Sequence, residues 1–176
     1  MTADSVDVTA IVLNYNGLRF LDRCLQSLRN QTLQYLRILV VDNGSTDGSV
    51  AHVRSNHPDI DLVETGVNLG YAGGNNLGAS HATSPFLFFL NNDAVPEPDA
   101  IERLSDHMQA NDRVAACQPK IRNLVHPERF DYAGGSAGTS TFSATRFAGV
   151  GLERSSRTMW DNMTTIGRFF GPVGQL

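Results

Sequence analysis

Phe86-Leu87-Phe88-Phe89-Leu90-Asn91-Asn92-Asp93 joins an apolar run directly to a polar stop. Five apolar residues in succession, three of them aromatic, spell a strand covered on both faces, as in the middle of a sheet flanked by helices. Open α/β sheets bind ligands in the crevice beyond the carboxyl ends of their strands. Asn91, Asn92 and Asp93 stand there, and Asp93 is a candidate metal ligand. A plain turn accounts for the same residues, since Asn and Asp bond their own backbone and tolerate unusual dihedrals.

Upstream the same join recurs twice. Val8-Thr9-Ala10-Ile11-Val12-Leu13 is β-branched and apolar and stops at Asn14-Tyr15-Asn16-Gly17. Ile38-Leu39-Val40-Val41 stops at Asp42-Asn43-Gly44-Ser45-Thr46-Asp47-Gly48. Between these runs Leu18, Leu21, Leu25 and Leu28 recur at helical spacing with Cys24 on the same side, which predicts a helix over 18–31. Val50 and Val53 suggest a short helix ended by His57-Pro58, and a brief strand follows over 60–64.

Asn68-Leu69-Gly70-Tyr71-Ala72-Gly73-Gly74-Asn75-Asn76-Leu77-Gly78 then runs into Ala79 and Ala82. Its glycines give a phosphate or sugar room to approach the backbone, and a helix N-terminus offers free amides to an anion. Gly73, Gly74 and Gly78 would equally suit close packing of helix on sheet. The stretch is no dinucleotide fingerprint, because Gly-x-Gly-x-x-Gly is absent from it and it does not follow the first strand.

Downstream of Asp93, Ala94-Val95-Pro96-Glu97-Pro98 breaks the chain. Ile101, Leu104 and Met108 mark a helix ending near Ala110, and Val114-Ala115-Ala116-Cys117 reads as a further strand. The alternation of strand and helix predicts an α/β domain with a mainly parallel sheet. Residues 131–162 read as loops and short strands. Phe142, Phe147, Trp160, Phe169 and Phe170 make the tail too aromatic for disorder.

The 176 residues, 41% apolar, suffice for one domain with a continuous core. A net charge of -4 without a Lys/Arg cluster argues against a nucleic-acid partner. Met1-Thr2-Ala3-Asp4-Ser5 shows no leader pattern, and no run approaches the roughly 20 apolar residues of a membrane span, so a cytoplasmic location is expected. Cys24 and Cys117 read as buried thiols, without a disulfide framework or zinc site. His52, His57, His81, His107 and His126 lack metal-ligand spacing along the chain.

Taken in order, Ile11-Val12-Leu13-Asn14-Tyr15-Asn16-Gly17, Val40-Val41-Asp42-Asn43-Gly44-Ser45-Thr46-Asp47-Gly48-Ser49, Asn68-Leu69-Gly70-Tyr71-Ala72-Gly73-Gly74-Asn75 and Phe89-Leu90-Asn91-Asn92-Asp93 resemble the family-two nucleotide-sugar glycosyltransferases. The likeness points to their rhamnosyltransferase-like branch. It implies a Rossmann-like three-layer α/β/α glycosyltransferase A-type domain with a mainly parallel sheet, its C-terminal part missing. Within one domain, 6–123 would be the nucleotide-sugar-binding half and 124–176 the start of the acceptor-side region.

The resemblance also implies the site. Leu13, Asn14, Tyr15 and Asn16 end the first strand beside the nucleobase and ribose. Asp42, with Asn43, accepts a hydrogen bond from the ring N–H of uracil or thymine. Gly70, Gly73, Gly74 and Asn75 belong to the donor site, as do Asn91, Asn92 and Asp93, which match the family's Asp-x-Asp signature. Its first position is Asn91 here, leaving Asp93 as the signature's carboxylate. A hard divalent ion, Mn2+ or Mg2+, is satisfied by one carboxylate together with diphosphate oxygens and water. At Gly74 many relatives carry a basic residue facing the phosphates.

The implied reaction is inverting transfer from a UDP- or dTDP-linked sugar to a glycan or lipid-linked acceptor, with a carboxylate as general base. In the family that base sits in a Glu-Asp motif that would fall beyond Leu176, and no catalytic residue is identifiable in this chain. After Asp112 the acids are Glu128, Asp131, Glu153 and Asp161, none in such a pair. A fragment is therefore expected that keeps donor binding, transfers little, and self-associates through apolar surface near Phe169 and Phe170. Acceptors of this branch suggest peripheral attachment at the inner membrane face. Two other readings stand beside this one. A sugar-phosphate nucleotidyltransferase would need a Gly-rich, Arg-containing loop that Asn14-Tyr15-Asn16-Gly17 does not supply, and a non-catalytic nucleotide-sugar-binding module or degenerate remnant would need no base at all.

Overall fold

The computed structural model describes residues 7–131 and the backbone of Tyr132 and of 165–168. Strands β1 (Val8–Asn14), β2 (Leu36–Asp42), β3 (Asp61–Glu64) and β4 (Phe86–Asn91) alternate with helices α1 (Leu18–Arg29), α2 (Ser49–Asn56) and α3 (Gly70–His81). Helix α4 (Ala100–Gln109) follows, then the short strands β5 (Ala116–Cys117), β6 (Ile121–Arg122), β7 (Phe130–Tyr132) and β8 (Thr165–Arg168). The main sheet runs β3-β2-β1-β4-β8-β5, and β6 pairs with β7 in a separate hairpin. Strands β1 to β4 are parallel, whereas β8 lies antiparallel to β4 and β5.

The side-chain period of two divides the sheet into two cores. Val8, Ala10 and Val12 with Val40 and with Phe86, Phe88 and Leu90 face α1, α2 and α4. Ile11, Leu39, Val41 and Leu87 face α3 through Ala79 and Ala82. The α/β/α layering thus follows from strands apolar on both faces, and the inner position expected for Phe86 to Leu90 is realised between β1 and β8.

The glycine-rich stretch itself forms α3 from Gly70 onward, in keeping with close packing of helix on sheet. Glycine in a helix interior costs about 1 kcal/mol relative to alanine. Packing overrides that cost, because a Cβ at Gly74 would lie 2.4 Å from Leu13 Cδ1 and one at Gly78 2.6 Å from Ile11 Cγ2. The strand expected over 114–117 shrinks to Ala116–Cys117, since Val114 N–H closes a turn onto the Asn111 carbonyl. Cys117 on it is half-buried rather than buried, while Cys24 is fully enclosed, and both are free thiols. Of the region 131–162, Asp131 and Tyr132 belong to the strand Phe130–Tyr132, and 133–162 lie outside the described residues. Phe142, Phe147, Trp160, Phe169 and Phe170 lie outside the described residues. No helix among the described residues is long and apolar enough to cross a membrane.

Candidate functional site

Strand order places the topological switch between β1 and β4, because the chain winds from β1 outward to β3 and then returns through α3 to β1's other side. A crevice opens at such a point beyond the carboxyl ends of the strands. Leu13 pairs in register with Asn91 and Asn14 with Asp42, so the polar stops of β1, β2 and β4 meet there.

A first network joins them. Asn14 Nδ2 donates to Asp42 Oδ2 at 3.0 Å and to Ser45 Oγ at 3.2 Å, while Asn92 Nδ2 donates to Asn14 Oδ1 at 2.6 Å. Asp42 Oδ1 accepts from the Ser45 N–H at 2.9 Å, and Asp42 is 3% exposed. The two carboxylate oxygens therefore hold the end of β1 and the loop after β2. Asn16 N–H donates to Ser45 Oγ, and Asn16 Oδ1 accepts from the Thr46 N–H. Asp47 receives the Leu18 N–H at the start of α1 and the Ser49 N–H at the start of α2. Desolvation would raise the Asp47 pKa, but hydrogen bonds from Ser49 and Leu18 outweigh it and hold the carboxyl below its usual value.

A second network fixes the entry to α3. Asn43 Nδ2 donates to Asn68 Oδ1 at 3.0 Å and to the Gly70 carbonyl at 3.2 Å, and Asn43 Oδ1 accepts the Leu69 N–H. Tyr15, Val67 and Leu69 are exposed large side chains of the loops after β1 and β3 and give the crevice an apolar rim.

Of the residues expected at the site, Asn14, Asp42 and Asn92 are thus joined in one network and Asn43 and Gly70 in the other. Tyr15 and Asn16 are exposed, and Asn91, Asn92 and Asp93 are partly so. Leu13 and Gly74 pack together: Gly74 is buried under Leu13, and a Cβ at Gly73 would lie 2.9 Å from Leu69 Cβ. Asn75 is also buried, donating to the Tyr71 carbonyl, with no partner for its Oδ1 among the described residues. Ser45 and Asn68, not foreseen as site residues, are the side chains on which both networks turn. Their position beside Asp42-Asn43 and Gly70 was the available signal.

Asp93 differs from Asp42. It is partly exposed, and among the described residues its carboxylate accepts no hydrogen bond. Its charge reaches the Cys24 thiol, which burial first and that charge second push up to about 12. A carboxylate without donors at the switch point suits a hard cation or a ligand N–H or O–H. A hollow of about 360 Å³ lies at the opposite end of the sheet, walled by Leu33, Ile38 and Ile60 and by the ion pairs Arg29–Asp59 and Arg37–Asp61. None of the residues above lines it.

Fold and site together define a three-layer α/β/α domain whose polar strand ends gather at its switch point, with the Asp93 carboxylate beside them accepting no hydrogen bond among the described residues. The chain belongs to glycosyl transferase family 2, whose family model matches residues 9–158. An uncharacterized glycosyltransferase of Haemophilus influenzae is 27% identical over 124 residues, covering 69% of this chain and 38% of that protein. The mannosyltransferase PcManGT of Pyrobaculum calidifontis, solved in complex with GDP-Man and Mn2+, is 31% identical with a TM-score of 0.60, covering 65% of this chain and 35% of that one. TarS of S. aureus, solved with UDP-GlcNAc, shares the fold at 20% identity and a TM-score of 0.59, over 66% of this chain and 35% of its own. The chain thus spans little more than a third of the length of each.

Proposed function

We propose that this chain is the donor-binding half of an inverting glycosyltransferase and binds a nucleoside-diphosphate sugar at the β1–β4 crevice, with a divalent metal at Asp93. The observation that carries the reading is the Asp93 carboxylate, partly exposed and, among the described residues, without a hydrogen-bond donor, just past the end of the inner strand. The similar mannosyltransferase holds GDP-Man and Mn2+, which supports a nucleotide sugar and a divalent ion here. When bound, the ion supplies positive charge against the charge that builds on the leaving diphosphate. Asp93 would hold it, and Asn91 would lend at most a neutral oxygen.

The nucleotide is read from the match of Asp42 to the family's base-binding acid, which favours bases with a ring N–H, uracil or thymine first. Asp42 is buried and accepts from Asn14 and Ser45, so a base binding there takes the place of one of these donors. Guanine shares that group, so the guanosine nucleotide of the relative is the close competitor. The acceptor is a glycan or lipid-linked hydroxyl, reached from the cytoplasmic side and peripherally at a membrane. Without a Glu-Asp pair among residues 1–176, transfer by this chain should be negligible, as general-base help alone is typically worth about 10² to 10⁴ in rate.

Calorimetry with uridine, thymidine, guanosine and adenosine diphosphates in Mn2+ tests the reading. Uridine or thymidine diphosphate should bind tightest, and Asp93→Asn should abolish most of the Mn2+-dependent gain while leaving metal-free binding nearly unchanged. An unaltered metal effect in Asp93→Asn, with a lowered melting temperature, would show that Asp93 only shapes the turn.

A further inference from the structure

Asn14 offers no surface to a ligand, yet three polar side chains of the crevice converge on it. It is 0% exposed, so no donor molecule touches it. Its amide donates to Asp42 and Ser45 and accepts from Asn92, and so ties the loop after β2 to the corner that carries Asp93. A side-chain amide donates and accepts at once. A carboxylate at this position could not donate to Asp42, and an aliphatic side chain could do neither.

Gly17 closes the joint from the other side. A Cβ there would stand 1.7 Å from Asn92 Nδ2 and 2.7 Å from Asn14 Oδ1. The backbone at Gly17 has φ -115, which any residue adopts, so the requirement for glycine is one of space. The Asn92 amide lies where the side chain of any other residue at 17 would begin.

We infer that Asn14 is a positioning residue of the donor site: clamped with Gly17 around Asn92, it fixes the neighbouring Asp93 carboxylate relative to the loop over 42–47. The nucleobase side and the metal side of the crevice are then one rigid unit. This rests on the donor-site reading above and extends it to a residue that acts only through others.

The test compares wild type, Asn14→Ala, Gly17→Ala, Asn92→Ala and the double variant Gly17→Ala/Asn92→Ala. For each, uridine diphosphate affinity is measured with and without Mn2+, together with the melting temperature. Asn14→Ala and Gly17→Ala should each cut the Mn2+-dependent gain about tenfold, the size of one lost polar contact, because they disturb one joint from opposite sides. The double variant should recover the melting temperature of Asn92→Ala, since the new methyl fills the space of the missing amide, but should not recover the metal gain. Lower melting temperatures with the full metal gain retained in Asn14→Ala and Gly17→Ala would overturn the inference and leave the functional reading standing. A wild-type chain that binds no nucleoside diphosphate in Mn2+ would overturn that reading and this inference with it.

Discussion

A methyl group added at Gly78 sets two effects of known size against each other. Alanine is favoured over glycine in a helix by about 1 kcal/mol. The new Cβ, however, would lie 2.6 Å from Ile11 Cγ2 and 2.9 Å from Val41 Cγ2, both on β-branched side chains of the sheet. Overpacking of a filled core costs typically about 1–3 kcal/mol, and β-branched neighbours have little rotamer freedom with which to yield. Gly78→Ala should therefore lose up to about 2 kcal/mol in urea unfolding, and a gain would show that α3 can back away from the sheet. The same residues mark what the sequence could tell. Asn14, Asp42 and Asp93 are visible at the strand ends, but their separate duties are not. Asp42 is held by Ser45 of its own loop and by Asn14, 28 positions away, whereas Asp93 accepts no hydrogen bond among the described residues, and the distant partner is the part that no local pattern shows. The packing at Gly74 is hidden for the same reason: Leu13, which fills the space above it, is distant in sequence.

Between elements, α1 and α2 are joined by a cluster that spacing along the chain concealed. Asp22 Oδ1 accepts from His52 Nε2 at 2.7 Å and from His57 Nε2 at 2.9 Å. The three side chains have the composition of a metal site. Arg29 decides otherwise, because its Nη1 donates to His57 Nδ1 at 2.8 Å and a guanidinium can only donate. The His57 proton is thereby held on Nε2, which faces Asp22 as a donor and not as a ligand. The hydrogen bond from His52, and next that from His57, hold the Asp22 carboxyl below its usual value. A carboxylate depressed in the folded state contributes stability above its unfolded pKa, near 4, that is lost as pH falls through the folded value. Asp22 is 70% exposed, and solvent screening keeps its share below about 1 kcal/mol. Asp22→Asn should thus melt slightly below wild type at pH 6, and the two curves should converge below about pH 4. A difference that does not shrink as pH falls below 4 would assign the effect to packing rather than charge.

At the scale of the molecule, the order of strands and helices through α4 was legible because each element carries its own period, and three strand ends carry polar stops. Strand β8 was not. Its pairing with β4 joins positions about 80 apart, Phe86 with Arg168 and Phe89 with Thr165, and no local pattern in Thr165-Ile166-Gly167-Arg168 announces such a partner. Its place has consequences, since it lies between β4 and β5 and covers the edge of the strand that ends in the site. Without β8, an apolar strand would present a row of unpaired backbone donors and acceptors, a ready template for pairing with another chain. Strand β5 would at the same time lose its partner in the sheet. A chain ending at residue 132 should therefore melt below the 176-residue chain and self-associate with rising concentration. Light scattering and urea unfolding of the two chains side by side check this. If the shorter chain stays monomeric and equally stable, β4 serves as a tolerated edge and β8 adds nothing to the sheet.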